Sequence, residues 1–92
     1  MRLDLFLKAS RLIVRRSLAQ KFCDAGMVKV NDQTAKSSKT ISDGDEIEIR
    51  RGDRLIRVRV LEVPEKKQVS KQEAPRLYEI ISEETVEDDL FD

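Results

Sequence analysis

Arg15 and Arg16 stand directly before a run in which Leu18, Ala19, Phe22 and Cys23 recur at helical spacing. Two guanidinium groups therefore fall at or just before the start of a helix, where the macrodipole disfavours cations by roughly 0.3–1 kcal/mol. An anion would offset that cost. Phosphate has the matching chemistry, because a helix start presents free backbone N–H groups and a guanidinium fork can hold two phosphate oxygens. Arg2 opens an earlier helical run, and Lys8 and Arg11 lie at its end; side-by-side packing of the two helices would put all five cations on one surface. A polar run, Lys36, Ser37, Ser38 and Lys39, adds ammonium and hydroxyl groups of the kind that contact a nucleic-acid backbone. The competing readings are ordinary ones: a solvated charged face for the arginines and a polar hairpin connection for the loop.

Other chemistries are poorly served. With no histidine and one cysteine, Cys23, the sequence has no disulfide framework, none of the usual zinc sets and no His-based catalysis. We expect no catalytic residues, no metal, no cofactor and no small-molecule substrate. Cys23 lies on the apolar stripe and reads as a small buried hydrophobe. Phe6 and Phe22 also lie on apolar stripes, so base-stacking platforms are not evident and recognition should rest on phosphates and the shape of structured RNA. A chain of 92 residues has room for one small core. No run approaches the roughly 18 apolar residues of a membrane span. Met1-Arg2-Leu3-Asp4 lacks the apolar region of a secretory signal. A cytoplasmic protein without membrane attachment is expected.

The 18 basic and 18 acidic residues cancel overall but not locally. Residues 1–39 hold nine Lys or Arg against three acids, a net of +6. Residues 40–60 balance at five each, and residues 61–92 hold four bases against ten acids, a net of −6. A basic head facing a polyanion and an acidic tail facing away from it is the arrangement this implies.

The elements that must position these groups follow from periodicity. Leu3, Phe6 and Leu7 define a first short helix, on which Asp4 can pair with Lys8, favour the helix start, or hold a neighbouring arginine in position. The second helix runs from residue 15 or 16 to 25, with Arg16, Gln20 and Asp24 opposite the apolar stripe and Gly26 ending it. Between them, residues 10–14 carry Ile13 and Val14 and suit a tight, partly buried connection. The period then changes to two. Met27, Val28 and Val30 predict a strand, Asn31-Asp32 a turn, and residues 34–36 an antiparallel return. Ile47 and Ile49, then Ile56, Val58 and Val60, form a second hairpin around Arg51-Gly52-Asp53. There, Glu46 and Glu48 are placed to pair with Arg57 and Arg59. Residues 65–72 are polar and read as a mobile linker, residues 77–81 fit either a short helix or an edge strand, and residues 83–92 read as a frayed acidic end.

Arg2-Leu3-Asp4, Phe6-Leu7, Ser10-Arg11, Arg16-Ser17-Leu18-Ala19, Gly26-Met27-Val28-Lys29-Val30-Asn31, Lys36, Ser38 and Gly44-Asp45-Glu46-Ile47 together resemble the S4 RNA-binding domain over about residues 1–50. The resemblance implies an α+β fold of the αL (S4-like) type: two N-terminal helices packed on a small bent antiparallel sheet, here with a C-terminal β-hairpin and a short acidic tail. It divides the chain into residues 1–63, the S4-like RNA-binding domain with its second hairpin, residues 64–75, a polar linker, and residues 76–92, a short acidic C-terminal element. By position it implies RNA contacts from Arg2, Lys8, Arg11, Arg15 and Arg16, with Lys36, Ser38 and Lys39 as a second group.

About forty residues follow the S4-like stretch, too few for a catalytic domain. The layout is similar to the stand-alone heat-shock S4 proteins of bacteria, in particular their compact branch in ribosome-associated quality control. That likeness implies a non-enzymatic monomer that binds rRNA of the free large ribosomal subunit and the peptidyl-tRNA left after a stalled ribosome splits. It would stabilise the tRNA while an RqcH-like quality-control factor directs alanine tailing. Two departures stand out: Asn31-Asp32 replaces the Asn-Gly common in the family, and Glu87-Asp88-Asp89 occupies the end where longer relatives carry a basic extension. An alternative is a small RNA-binding adaptor whose acidic tail recruits a protein partner.

Overall fold

A computed structural model describes residues 1–85; of the frayed acidic end expected at 83–92, residues 83–85 are instead paired in a strand, and 86–92 lie outside the described residues. Helix α1 spans Leu3–Ala9 and buries Leu3, Phe6 and Leu7. Full burial of such side chains contributes about 1.5–3 kcal/mol each. Its first amides do not face solvent: Leu3 N donates to Lys39 O at 2.7 Å and Asp4 N to Ser37 O at 3.1 Å. The polar loop is thereby laced to the helix start, and Ile41 N, donating to Met1 O at 2.8 Å, continues the lacing.

Helix α2, Arg16–Asp24, packs Ala19 and Cys23 into the core. It ends at Ala25, and Gly26 turns the chain at φ 75°. The connection from α1 is tight, as expected. Ser10 Oγ donates to Leu7 O and accepts from Leu12 N, Ile13 is fully buried, and Val14 is exposed.

The strands are β1 Val28–Val30, β2 Gln33–Thr34, β3 Glu46–Arg51, β4 Arg54–Val60 and β5 Tyr78–Thr85. They form one antiparallel sheet in the order β2-β1-β3-β4-β5. Period two puts Val28, Val30, Ile47, Ile49, Val58 and Val60 on the face that meets the helices, in register as Val28 with Ile49, Val30 with Ile47 and Ile47 with Val58. The β1–β2 turn has Asn31 at φ 51° and Asp32 at φ 68°, the two left-handed residues a type I′ turn requires. Asp32 thus fills a place often held by glycine.

The return strand is Gln33–Thr34, shorter than the 34–36 segment expected. Ala35 N still donates to Val28 O at 3.2 Å, but the chain then leaves the sheet to reach α1. The open choice at 77–81 resolves as strand. A 3₁₀ turn, Ala74–Leu77, with Pro75 in its first positions where no N–H is needed, delivers the chain to β5. β5 pairs along β4, its register stepping from Arg57 with Ser82 to Val58 with Ile80, so that Ile81 forms a bulge. Residues 64–73 contain no helix or strand, yet Val69 packs against the core.

The outer face of the sheet carries its own neutralisation. Arg57 lies 3.0 Å from both Asp32 and Glu48, Arg59 2.8 Å from Glu79 and 3.7 Å from Glu46, and Arg54 2.9 Å from Glu83. The cross-strand pairing foreseen for Arg57 and Arg59 is present, extended by β5. Exposed pairs of this kind contribute about 0–1 kcal/mol each. Their larger effect is to leave these arginines occupied.

Candidate nucleic-acid interface

Asp4 is the hub of the basic face. Its second-residue position on α1 points the carboxylate inward, where it is fully buried. Arg2 Nε lies 3.2 Å from Oδ1, Arg16 Nε 3.2 Å from Oδ2, Gln20 Nε2 donates to Oδ2 at 2.9 Å, and Leu5 N donates to Oδ1 at 2.8 Å. Burial acts to raise the Asp4 pKa, but the hydrogen bonds from Gln20, Arg16, Arg2 and the Leu5 amide together outweigh it and hold the carboxyl below its ordinary value. Of the three roles open to Asp4, the structure shows two: it holds arginine, and it stands in the first turn of α1, where it accepts from the Leu5 amide and favours the helix start. A pairing of Asp4 with Lys8 is not formed.

This geometry corrects one expectation about energetics. The cost of placing Arg16 at the start of α2 is offset inside the chain by Asp4, before any phosphate arrives. The clamp still leaves the cations available, since the side chains of Arg2 and Arg16 are 45% and 44% exposed while Asp4 is at 0%. Arg16 gives only Nε to Asp4, whereas Arg2 gives Nε to Oδ1 and Nη2 to Oδ2 at 3.4 Å, so Arg16 keeps both terminal nitrogens, and Arg2 one, for another oxygen. Gln20 is the partner that sequence reasoning left on the outer face of α2. Its i,i+4 spacing from Arg16 was the available signal.

The remaining sequence-derived residues fall into three places. Lys36 and Ser38 share a hollow with Arg2, Cys23 and Asp24. Lys36, Ser38 and Lys39 also line a neighbouring hollow beside the first hairpin. Arg15 is the exposed residue that precedes α2, and no side chain caps that helix start. Lys8 and Arg11 sit together at the far end of α1, in a separate groove. Among the described residues, Lys8, Arg11, Arg15, Lys36 and Lys39 have no carboxylate within ion-pair distance, in contrast to the occupied arginines of the sheet. Cys23 is buried, and burial first, then the charges of Asp4 and Asp24, push its thiol up to about 11. Such a thiol is a packing group. No described helix is long and apolar enough to cross a membrane.

Residues 1–47 match the S4 domain family. A Streptococcus pneumoniae protein named RQC P-site tRNA stabilizing factor is 47% identical over 90 residues, covering 98% of this chain and 100% of that protein. Its namesake in Halalkalibacterium halodurans is 46% identical over 86 residues, covering 94% and 96%. The trimeric structure of Vibrio cholerae Heat Shock Protein 15 superposes with a TM-score of 0.79 at 32% identity, over 87% of this chain and 80% of that one. The chain belongs to the S4 domain family and, within it, to the group that contains these stabilizing factors.

Proposed function

We propose that this protein is a cytoplasmic, non-enzymatic RNA-binding factor of ribosome-associated quality control. It seats on the free large ribosomal subunit after a stalled ribosome has split, contacts rRNA and the P-site peptidyl-tRNA, and keeps that tRNA in place. It acts as a monomer beside an RqcH-like factor that directs alanine addition to the nascent chain. The main RNA-binding unit is residues 1–63, joined through residues 64–75 to a C-terminal element, 76–92.

The observation that carries this reading is the Asp4 clamp. One buried carboxylate fixes guanidinium groups from both helices at 3.2 Å while leaving each nearly half exposed. Fixed, open forks suit phosphate oxygens, and they lose less side-chain entropy on binding than free arginines would. The uncapped start of α2 lies beside them and favours an anion.

The test is sedimentation of the Arg2→Gln/Arg16→Gln double variant with purified large subunits carrying peptidyl-tRNA. Glutamine keeps a donor for Asp4 and removes the charge. Loss of co-sedimentation with an unchanged fold supports the assignment, and undiminished co-sedimentation overturns it.

A further inference from the structure

We propose a second phosphate-binding site at the opposite end of α1, formed by Lys8, Arg11 and Lys67. The inference rests on the RNA-binding reading above and deepens it: the footprint extends past the matched S4 stretch of residues 1–47 into the connection between β4 and β5. Its ligand is a backbone phosphate of the same RNA.

Three observations converge on it. First, Lys67 lines a groove of about 290 Å³ together with Lys8 and Arg11, although 56 positions separate it from Arg11 in sequence. The connecting segment is held there: Val69 packs against the core, and Leu61 N and Glu62 N both donate to Leu77 O, closing the loop at its base. Second, none of the three cations has an acidic partner within ion-pair distance among the described residues, whereas Arg54, Arg57 and Arg59 all have one. Like charges gathered in a groove repel one another, and an anion relieves that repulsion. Third, Arg11 adopts φ 61°. This is the left-handed conformation that glycine takes at no cost and other L-residues take at about 1–2 kcal/mol. It follows α1 where glycine is the usual residue, so an arginine there gives up stability in exchange for a cation at the groove mouth.

α1 has seven residues, which places this groove about 10 Å along the helix axis from the Arg2–Arg16 clamp. The two sites can therefore hold separate phosphates of one RNA.

Lys66 provides the control. It carries the same charge one residue away but lines a different hollow, shared with Asp43, Glu62, Glu65 and Glu73. Lys67→Glu, Lys66→Glu and Arg11→Gly are each titrated against purified large subunits carrying peptidyl-tRNA at 50 and 200 mM salt. Each lost phosphate contact should remove about a threefold share of the affinity that wild type loses between those salts, from a slope of roughly 0.7–0.9 per contact. Lys67→Glu is expected to bind several-fold more weakly with the shallower salt dependence, and Lys66→Glu to keep the wild-type salt dependence. Arg11→Gly is expected to bind more weakly while melting no lower than wild type. Wild-type binding by Lys67→Glu, or equal loss by Lys66→Glu and Lys67→Glu, overturns the second site. If the Arg2→Gln/Arg16→Gln variant loses binding in the same assay while Lys67→Glu does not, only this inference fails. If neither variant loses binding, the RNA-binding reading fails with it.

Discussion

Asp4 on α1 and Arg16 on α2 meet at 3.2 Å through a carboxylate at 0% exposure and a guanidinium at 44%. This one contact ties the two helices together and aims a cation outward, so the fold and the proposed RNA contact share an atom pair. The two partners respond differently to removal, because Arg16 can return to water and Asp4 cannot. Stranding a buried charge costs about 3–5 kcal/mol, whereas losing a charged hydrogen bond costs about 1.5–3 kcal/mol.

Asp4→Asn should therefore lower stability by about 1–3 kcal/mol, since Arg2 and Arg16 resolvate and Gln20 can retain a bond. RNA affinity should drop at the same time although no RNA-contacting group is removed. Urea unfolding and large-subunit sedimentation on the same preparation check both effects. Unchanged affinity would show that the clamp does not position the arginines.

Replacing Arg2 and Arg16 together by alanine is a different experiment. It leaves Asp4 buried with Gln20 and the Leu5 amide only, so stability should fall by roughly 3 kcal/mol or more. The glutamine pair should lose appreciably less. Thermal melts of the two double variants measure the difference, and equal melting temperatures would contradict a buried, dependent carboxylate.

Acid should expose the same linkage. The folded-state pKa of Asp4 lies below its ordinary value near 3.8, so the unfolded chain binds the proton more readily. The contribution of Asp4 is then complete above that ordinary value and is lost as pH falls through the lower folded pKa. Subtracting the Asp4→Asn stability curve from wild type between pH 5 and 2 should give a difference that shrinks towards acid. A pH-independent difference would count against it.

Cys23, with its thiol pushed up to about 11, should react with iodoacetamide at pH 8 far more slowly in the folded protein than in urea. Mass spectrometry over a time course reads the ratio. Comparable rates would mean that the α2 core face opens freely.

Ending the chain after Thr85 tests the adaptor alternative while keeping all of β5. A cut at Pro75 would remove β5, which pairs with β4 from Tyr78 to Thr85, and would confound partner loss with unfolding. We expect the shorter chain to keep its large-subunit binding and its association with the quality-control factor. Selective loss of a protein partner would favour the adaptor.

Local patterns carried much of this architecture. Period-two alternation was enough to pair Glu46 and Glu48 with Arg57 and Arg59, because side chains opposite one another on adjacent strands follow from register. Asn31-Asp32 announced its turn through residue types that tolerate positive φ. Asp4 was ambiguous for a physical reason: the i,i+4 neighbour Lys8 is visible in sequence, whereas Arg16 and Gln20 approach only after α2 packs. Lys67 escaped notice for a related one. A segment without periodicity gives no hint of its neighbours, and Val69, which pins it down, is a single apolar residue among polar ones. The helix-or-strand ambiguity at 77–81 was settled by the exposed edge of β4, a tertiary template that no local propensity encodes.

The ion pairs across the outer face of the sheet bear on how the molecule lands. With Arg54, Arg57 and Arg59 occupied and Lys8, Arg11, Arg15, Lys36 and Lys39 outside any ion pair among the described residues, charge is unevenly divided over a protein whose net charge is zero. In the field of a large RNA such a body feels a torque before it feels a contact. On the proposed function it would arrive helices first, with its ion-paired sheet turned away from the RNA.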